Sequence, residues 1–136
     1  MKIVLDTGAF MPERAHSTDA GLDLKSPVDI TIKPRSAVVI DTGLHVEIPD
    51  GCVGFIRSKS GLMCYHGITS DGTIDVGYTG SIRVCLINHS DWHYIVHAGD
   101  KISQLVILPI RIPAVEVVDH LGETERGNAG FGSSGR

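Results

Sequence analysis

Short, β-rich stretches recur along this chain, and turn residues separate them at fairly even spacing. KIVLD near the start, VDITI at Val28–Ile32, AVVID at Ala37–Asp41 and LHVEI at Leu44–Ile48 all read as strands. CVGFI at Cys52–Ile56, SIRVCLI at Ser81–Ile87, HYIV at His93–Val96, ISQLVIL at Ile102–Leu108 and AVEVV at Ala114–Val118 continue the series. The breaks carry turn chemistry, in Lys33-Pro34-Arg35, Pro49-Asp50-Gly51, Ser70-Asp71-Gly72 and Ala98-Gly99-Asp100. Strands recurring at roughly 8–12 residues argue for a sandwich or a barrel. LHVEI and SIRVCLI alternate apolar with polar, so each turns one face to a core. Helical signal is confined to Ser60–Tyr65, enough for a turn or two, and no internal repeat is present.

Bulk composition changes this picture little. The chain has 136 residues, 42% of them hydrophobic and 21% charged, which suits one globular domain. A chain of this size buries roughly 68% of its unfolded surface, so it needs no staples. Net charge is −4 with no long run of Lys or Arg, which disfavours a nucleic-acid partner while leaving room for a small anionic ligand. Cys52, Cys64 and Cys85 are odd in number and lack CxxC spacing, and no signal peptide precedes them. They read as reduced thiols in a cytoplasmic protein. No apolar run approaches the ~20 residues that span a bilayer, so no membrane role is expected.

From Gly122 the character shifts to GETERGNAGFGSSGR, rich in glycine, serine and charge, with Phe131 alone among glycines. This divides the chain into a β domain over residues 1–121 and a terminal segment over 122–136. The segment is either a frayed end or an arm that orders over a ligand. Glycines let backbone N–H groups turn toward phosphate, and one aromatic can cover a base.

Several segments carry chemistry, and each also has an ordinary structural explanation. GTIDVGYTG (72–80) sets Asp75 and Tyr78 in a strand-like hairpin flanked by glycines; their odd separation would put them on opposite faces unless Gly77 bends the chain. RSKSGL (57–62) is either an anion-favouring helix start or an N-capping Ser60 among surface charges. DAGLDL (19–24) brackets a small pair with two acids, able to orient waters on a divalent ion or to form a plain turn. GDKISQL (99–105) places Gln104 in an apolar run, where a buried amide needs partners. His89, His93 and His97 recur every four residues, but on strands that spacing does not converge three imidazoles on zinc.

The order of these segments is more informative than any one of them. DAGLDL, SKSGL, GTIDVGYTG, GDKISQL and RGNAGFGSSG together resemble the five ordered motifs of the trimeric dUTPase family, from about residue 16 to the end. The resemblance implies an all-β fold, a distorted jelly-roll-type β-barrel with a flexible C-terminal arm that closes over the active site. It also implies a homotrimer whose active sites lie between subunits. The implied reaction is hydrolysis of dUTP to dUMP and pyrophosphate, by water attack at the α-phosphorus, with Mg²⁺ as cofactor. By motif position Asp75 would hold and activate the water. The backbone around Gly72, Thr73 and Ile74, with the main chain near Arg83, would read the uracil edge. Rejection of cytosine would follow, because an unpaired buried polar group costs roughly 1–3 kcal/mol. Tyr78 would lie against the deoxyribose, and Ser60, Gly61 and Gln104 would contact the triphosphate with Lys59 beside them. Asp23 would hold Mg²⁺ through water. Arg126 would meet the γ-phosphate, Phe131 would cover the uracil, and Gly132 and Ser133 would offer groups to the phosphates.

The chain departs from that pattern in three places: Lys59 stands where the family usually has Arg, Ser58 where it has Pro, and Ala129 where it has Gly. Lysine is a point charge and cannot make the bidentate fork of a guanidinium. The alternatives are a dCTP deaminase, which shares the fold but has a longer chain without the Phe-bearing tail, and a silent binding module on the same fold.

Overall fold

The computed structural model describes residues 1–130. Its elements are almost all strands: β1 (Ile3–Leu5), β2 (Gly21–Lys25), β3 (Ile30–Ile32), β4 (Ala37–Asp41), β5 (Leu44–Val46), β6 (Cys52–Arg57), β7 (Ile68–Thr69), β8 (Asp71–Ile74), β9 (Arg83–Asn88), β10 (Tyr94–Val96) and β11 (Lys101–Pro109). One helix, α1 (Ser60–His66), interrupts them. The all-β expectation holds. The strands pair antiparallel in four sheets, ordered β1-β5, β10-β3, β2-β11-β6-β8 and β4-β9-β7.

All four sheets face one core. Leu44 and Val46 come from the first, Ile32 and Val96 from the second, Leu24, Ile56 and Leu105 from the third, and Ile40, Val84 and Leu86 from the fourth. The alternation in SIRVCLI does what its period requires: Val84, Leu86 and Asn88 point inward while Arg83 and Ile87 point out. Close packing sets one glycine. A Cβ on Gly54 would lie 2.9 Å from Cδ1 of Ile48 and 3.0 Å from Cδ1 of Leu105, so β6 passes the core only without a side chain there.

Four expectations need correction. AVEVV at 114–118 is not a strand: Val115 and Val117 are 94% and 95% exposed, and among the described residues no strand pairs with the segment. Its β-branched residues suit a strand, but a strand needs a partner edge and none of the described residues provides one. DAGLDL is not a plain turn, since Gly21–Lys25 forms an edge strand of the site sheet, with Asp23 and Leu24 both buried. Ser60 is not the helix cap. Lys59 holds that position in extended conformation without a side-chain cap bond, and Gly67 ends the helix in the left-handed region at φ 65°. Asp75 does not lie in a strand, because β8 stops at Ile74 and a turn follows. Gly77 makes that turn at φ 86°, with the Tyr78 N–H donating to the Asp75 carbonyl at 3.2 Å.

Candidate active site

The third sheet lines up functional residues in one row. Asp23 on β2 faces Gln104 on β11, Gln104 faces Arg57 on β6, and Arg57 faces Asp71 on β8. Asp23 is only 6% exposed, yet two ammonium groups reach it. Lys59 Nζ pairs with Oδ1, and Lys101 Nζ lies 2.8 Å from Oδ2. Burial works against ionisation of Asp23, but hydrogen bonds from Lys101 and Lys59 outweigh it and hold the carboxyl below its ordinary range. The same bond to Asp23 raises Lys101 above the ordinary lysine value. Glu13 extends the network: it lies 2.7 Å from Lys25 Nζ and 3.8 Å from Lys101 Nζ, and the Lys25 hydrogen bond lowers its carboxyl.

Neighbouring polar groups fix the strand ends. The Gln104 amide donates to the Ser58 carbonyl at 3.2 Å. Its Oε1 sits 2.2 Å from where a Cβ on Gly21 would be, so the glycine of DAGLDL makes room for this amide. Ser58 donates to the Ser70 carbonyl at 2.9 Å and accepts from the Ser70 N–H at 2.8 Å. Ser70 and Ser103 hydroxyls meet at 2.8 Å, and Ser103 donates to the Arg57 carbonyl at 2.9 Å. This buried hydroxyl chain ties β6, β8 and β11 together beside the start of α1, where Ser60 and Gly61 lie. A cleft of about 340 Å³ opens here, lined by Arg57, Ser58, Met63, Thr69, Ser70, Asp71 and Ile87.

The second group of site residues sits at the other end of β8. Asp75 is exposed directly after the strand, and the loop continues through Tyr78 to Ser81. The Tyr78 hydroxyl donates to the Ser81 carbonyl at 3.0 Å, folding the ring over Gly80, where a Cβ would lie 2.5 Å from that hydroxyl. The Ser81 hydroxyl donates to Asp41, whose carboxyl this bond, with the Gly43 N–H, holds below its ordinary range. Arg83 Nε stands 3.6 Å from the same carboxylate with its side chain well exposed. A cleft of about 460 Å³ lies against Val76, Gly77, Tyr78 and Thr79.

The structure therefore gathers Asp23, Lys59, Ser60, Gly61 and Gln104 in one group, and Gly72, Thr73, Ile74, Asp75, Tyr78 and Arg83 along and beyond β8. Asp75 lies four residues down β8 from Asp71 and three strands across from Asp23, which puts the two carboxylates on the order of 20 Å apart at ~3.3 Å per residue and ~4.8 Å per strand. Arg126 belongs to neither group; its Nε donates to the Ala129 carbonyl at 3.0 Å in an exposed turn. Phe131, Gly132 and Ser133 lie outside the described residues. The histidines of the 89–97 series go separate ways, His89 to the Thr69 hydroxyl at 2.8 Å and His97 toward Asp29 at 3.6 Å.

Sequence reasoning assigned no role to Lys101, Glu13, Asp41, Ser70 or Ser103. A usable signal existed for Ser103. It sits beside Gln104 in an apolar strand, and polar groups in such a run need buried partners. Both Ile102 and Ser103 are buried because the register shifts between Lys101 and Ser103 in the β11–β2 pairing.

Comparison with known proteins places the chain in a family. The dUTPase family model matches residues 8–135. A deoxyuridine 5'-triphosphate nucleotidohydrolase of Tropheryma whipplei (strain Twist) is 46% identical, over 98% of this chain and 94% of its own length. The corresponding protein of Gloeothece citriformis is 44% identical, over 96% and 92%. Among solved structures, the dUTPase of Staphylococcus bacteriophage 80alpha with dUPNHPP superposes with a TM-score of 0.94 at 33% identity, covering 99% of this chain and 98% of that one. A mutant dUTPase from phage phi11 of S. aureus, described as coordinating a structural Mg(II) ion, reaches a TM-score of 0.81 at 31% identity, over 88% and 96%. Fold and relatives together define a nucleotide hydrolase of all-β architecture. More narrowly, the chain belongs to the dUTPase family.

Proposed function

We propose that this protein hydrolyses dUTP to dUMP and pyrophosphate, in a homotrimer whose sites draw on both groups of residues from different subunits. The observation that carries the reading is the position of Asp75 at the end of β8, the edge strand of the site sheet. One edge of β8 has no strand partner among the described residues, so along Gly72, Thr73 and Ile74 the alternate backbone N–H and C=O groups that point away from β6 are free to pair with a base edge. Uracil and cytosine present inverted donor patterns there, and a fixed backbone cannot serve both. The Tyr78 ring, tied by its hydroxyl to Ser81, forms a wall against the sugar that leaves no space for a 2′-hydroxyl.

The chemistry follows from where the carboxylate sits. Asp75 takes a proton from a water as that oxygen attacks the α-phosphorus, and the bridging oxygen to the β-phosphorus leaves with pyrophosphate. Lys59 and Lys101 each use a hydrogen on Asp23 and retain further N–H donors for phosphate oxygens. Gln104, Ser60 and Gly61 stand beside them. Arg126, Phe131, Gly132 and Ser133 would close the arm over the nucleotide, excluding water and strengthening each charge contact.

Among the described residues no group of three acidic, His or Cys side chains could cage an ion. Asp23 is a single carboxylate with ammonium groups on both oxygens, which fits an ion that takes its inner oxygens from phosphate and meets Asp23 only through water. When bound, Mg²⁺ would neutralise phosphate charge. The trimer is supported by the ~20 Å between the two halves of the site within one chain and by the uncovered Ile112, Val115, Val117 and Leu121.

A pyrophosphate-release assay across dUTP, dTTP, dCTP and UTP, with and without Mg²⁺, tests the reading. Turnover of dUTP alone, dependent on Mg²⁺, is expected. Ammonia release from dCTP would indicate a deaminase instead, and nucleotide binding without turnover would indicate a silent module.

A further inference from the structure

His45 on β5 joins two segments that otherwise do not touch through hydrogen bonds of their own. Its Nδ1 stands 2.7 Å from the Thr79 carbonyl oxygen, and its Nε2 stands 3.2 Å from Oδ2 of Asp6 in the turn after β1. A carbonyl only accepts, so Nδ1 carries a hydrogen whenever that bond exists. A carboxylate also only accepts, so a neutral ring would turn the Nε2 lone pair on Asp6. The imidazolium alone serves both partners.

Thr79 sits in the middle of the Asp75–Ser81 loop, next to Tyr78. The loop's other ties are either internal, as in the Tyr78 bonds to Asp75 and Ser81, or at its far end, where Ser81 meets Asp41. His45 fastens the middle of the loop to β5 and, through Asp6, to the turn after β1. The ring is partly exposed at a cleft of about 350 Å³, so protons reach it from solvent.

We infer that His45 is a positioning residue for this loop: doubly protonated, its ring is braced on Asp6 while it donates to Thr79, and on losing the Nε2 proton it keeps the Thr79 bond but loses the brace that aims it. The inference rests on the reading of the loop as the carrier of Asp75 and the sugar-facing Tyr78. It concerns the placement of the loop and adds no chemical step.

The surrounding charges favour the clamp. Asp6 faces Nε2 and Asp41 acts from the end of β4, both negative, while Lys2 and Glu47 at the same cleft pair with each other at 2.9 Å. The Thr79 carbonyl first, and Asp6 second, raise the ring above its ordinary value against the opposing effect of burial. The Asp6 brace is therefore complete below the ordinary histidine pKa of about 6.5 and is lost as pH rises through the raised value, leaving the ring held by Thr79 alone.

The test has a kinetic and a spectroscopic arm. With dUTP and Mg²⁺, the KM of the parent should rise about fivefold as pH climbs through the His45 titration, the worth of one net hydrogen bond, with kcat following a separate profile. His45→Ala should show the raised KM at every pH, with its melting temperature and assembly size checked. Asp6→Asn should move the KM rise to lower pH. In NMR of the uniformly ¹⁵N-labelled parent, the Gly80 amide nitrogen, which shares its peptide with the Thr79 carbonyl, should titrate with the His45 ring and shift likewise in Asp6→Asn. A Gly80 amide indifferent to His45 protonation overturns the inference whether or not the protein turns over dUTP. So does a parental KM profile in either variant. A titrating Gly80 in a protein inactive on dUTP would leave the clamp standing and count against the proposed function instead.

Discussion

Asp23 and Asp75 are the two carboxylates to which the proposed function gives roles, and the fold treats them in opposite ways. Asp23 sits mid-strand, 6% exposed, gripped by two lysines inside a sheet whose ends are tied by a chain of serine hydroxyls. Asp75 stands exposed just past the end of an edge strand, on a turn held chiefly through its neighbours Tyr78, Thr79 and Ser81. The charge-holding side of the site is thus built within one chain, where burial makes every bond count. The side assigned to the chemistry is left open, which on the proposed reading leaves a partner subunit and the arm to complete it. The contrast explains why a carboxylate can be locked where it holds cations and must stay accessible where it handles water.

The sharpest way to break the contrast is Asp75→Asn. The change is isosteric and touches no tie of the loop, so fold, assembly and nucleotide affinity should persist. Turnover should fall ~10²–10⁴-fold, the usual worth of a general base. Steady-state kinetics beside calorimetric binding of a non-hydrolysable dUTP analogue measure both halves. Hydrolysis within twofold of the parent would strip Asp75 of its role.

Next in size is the arm. Deleting residues from Arg126 onward should leave an intact assembly that binds dUTP weakly and turns over on the order of 10²-fold slower, because the reacting groups lose their alignment and water re-enters. Protease digestion should cleave the parent's tail freely without ligand and slowly with the analogue. A fully active truncation would mean the open half of the site is closed by something other than the arm.

Asp23→Asn probes the closed half and should act on stability. It leaves Lys59 and Lys101 facing each other over a neutral amide. The expected loss is about 1–3 kcal/mol, below that of a fully buried pair because both ammonium groups reach solvent. Since Asp23 titrates below its ordinary range when folded, its contribution is complete above the unfolded value of about 3.9 and disappears as pH falls through the folded one. Thermal melts from pH 7 down to acid should therefore converge for parent and variant. A gap that stays constant across that range would mean the carboxylate's charge is not what the lysines stabilise.

Much of this contrast was readable in the sequence, but unevenly. Alternation located β5 and β9 and their inward faces, because one side of each strand meets the core. Motif order singled out the residues that the fold brings into two groups. Two things escaped local reasoning. β2 was hidden because Asp19 and Gly21 look like turn residues, whereas Gly21 is small to admit Gln104 and Asp23 is buried on charges supplied from 36 and 78 positions away in the chain, by Lys59 and Lys101. AVEVV has the β-branched composition of a strand, yet pairing depends on an available edge, and a local pattern does not record whether one is there.

Lys59→Arg should have the smallest effect and sharpens the comparison most finely. Lys59 is the helix cap residue, extended at φ −77° and ψ 130°, a conformation any residue adopts, so the backbone accepts arginine without strain. The side chain leaves this point to reach Oδ1 of Asp23 and stays partly exposed, so a longer guanidinium has room to extend outward. On Asp23 it would offer two N–H groups in place of one, and toward phosphate it would restore the fork that an ammonium lacks. Folding stability should change by less than about 0.5 kcal/mol, as for surface substitutions generally. KM for dUTP should hold or fall, by up to about threefold for one added charge-assisted bond partly offset by desolvation. Lys101 keeps Oδ2 of Asp23 occupied in either protein, so the acid limb of the stability profile should not move. A large loss of activity would show that the Ser58–Gly61 backbone is shaped around a lysine, and that Lys59 does not occupy the position of the family's arginine.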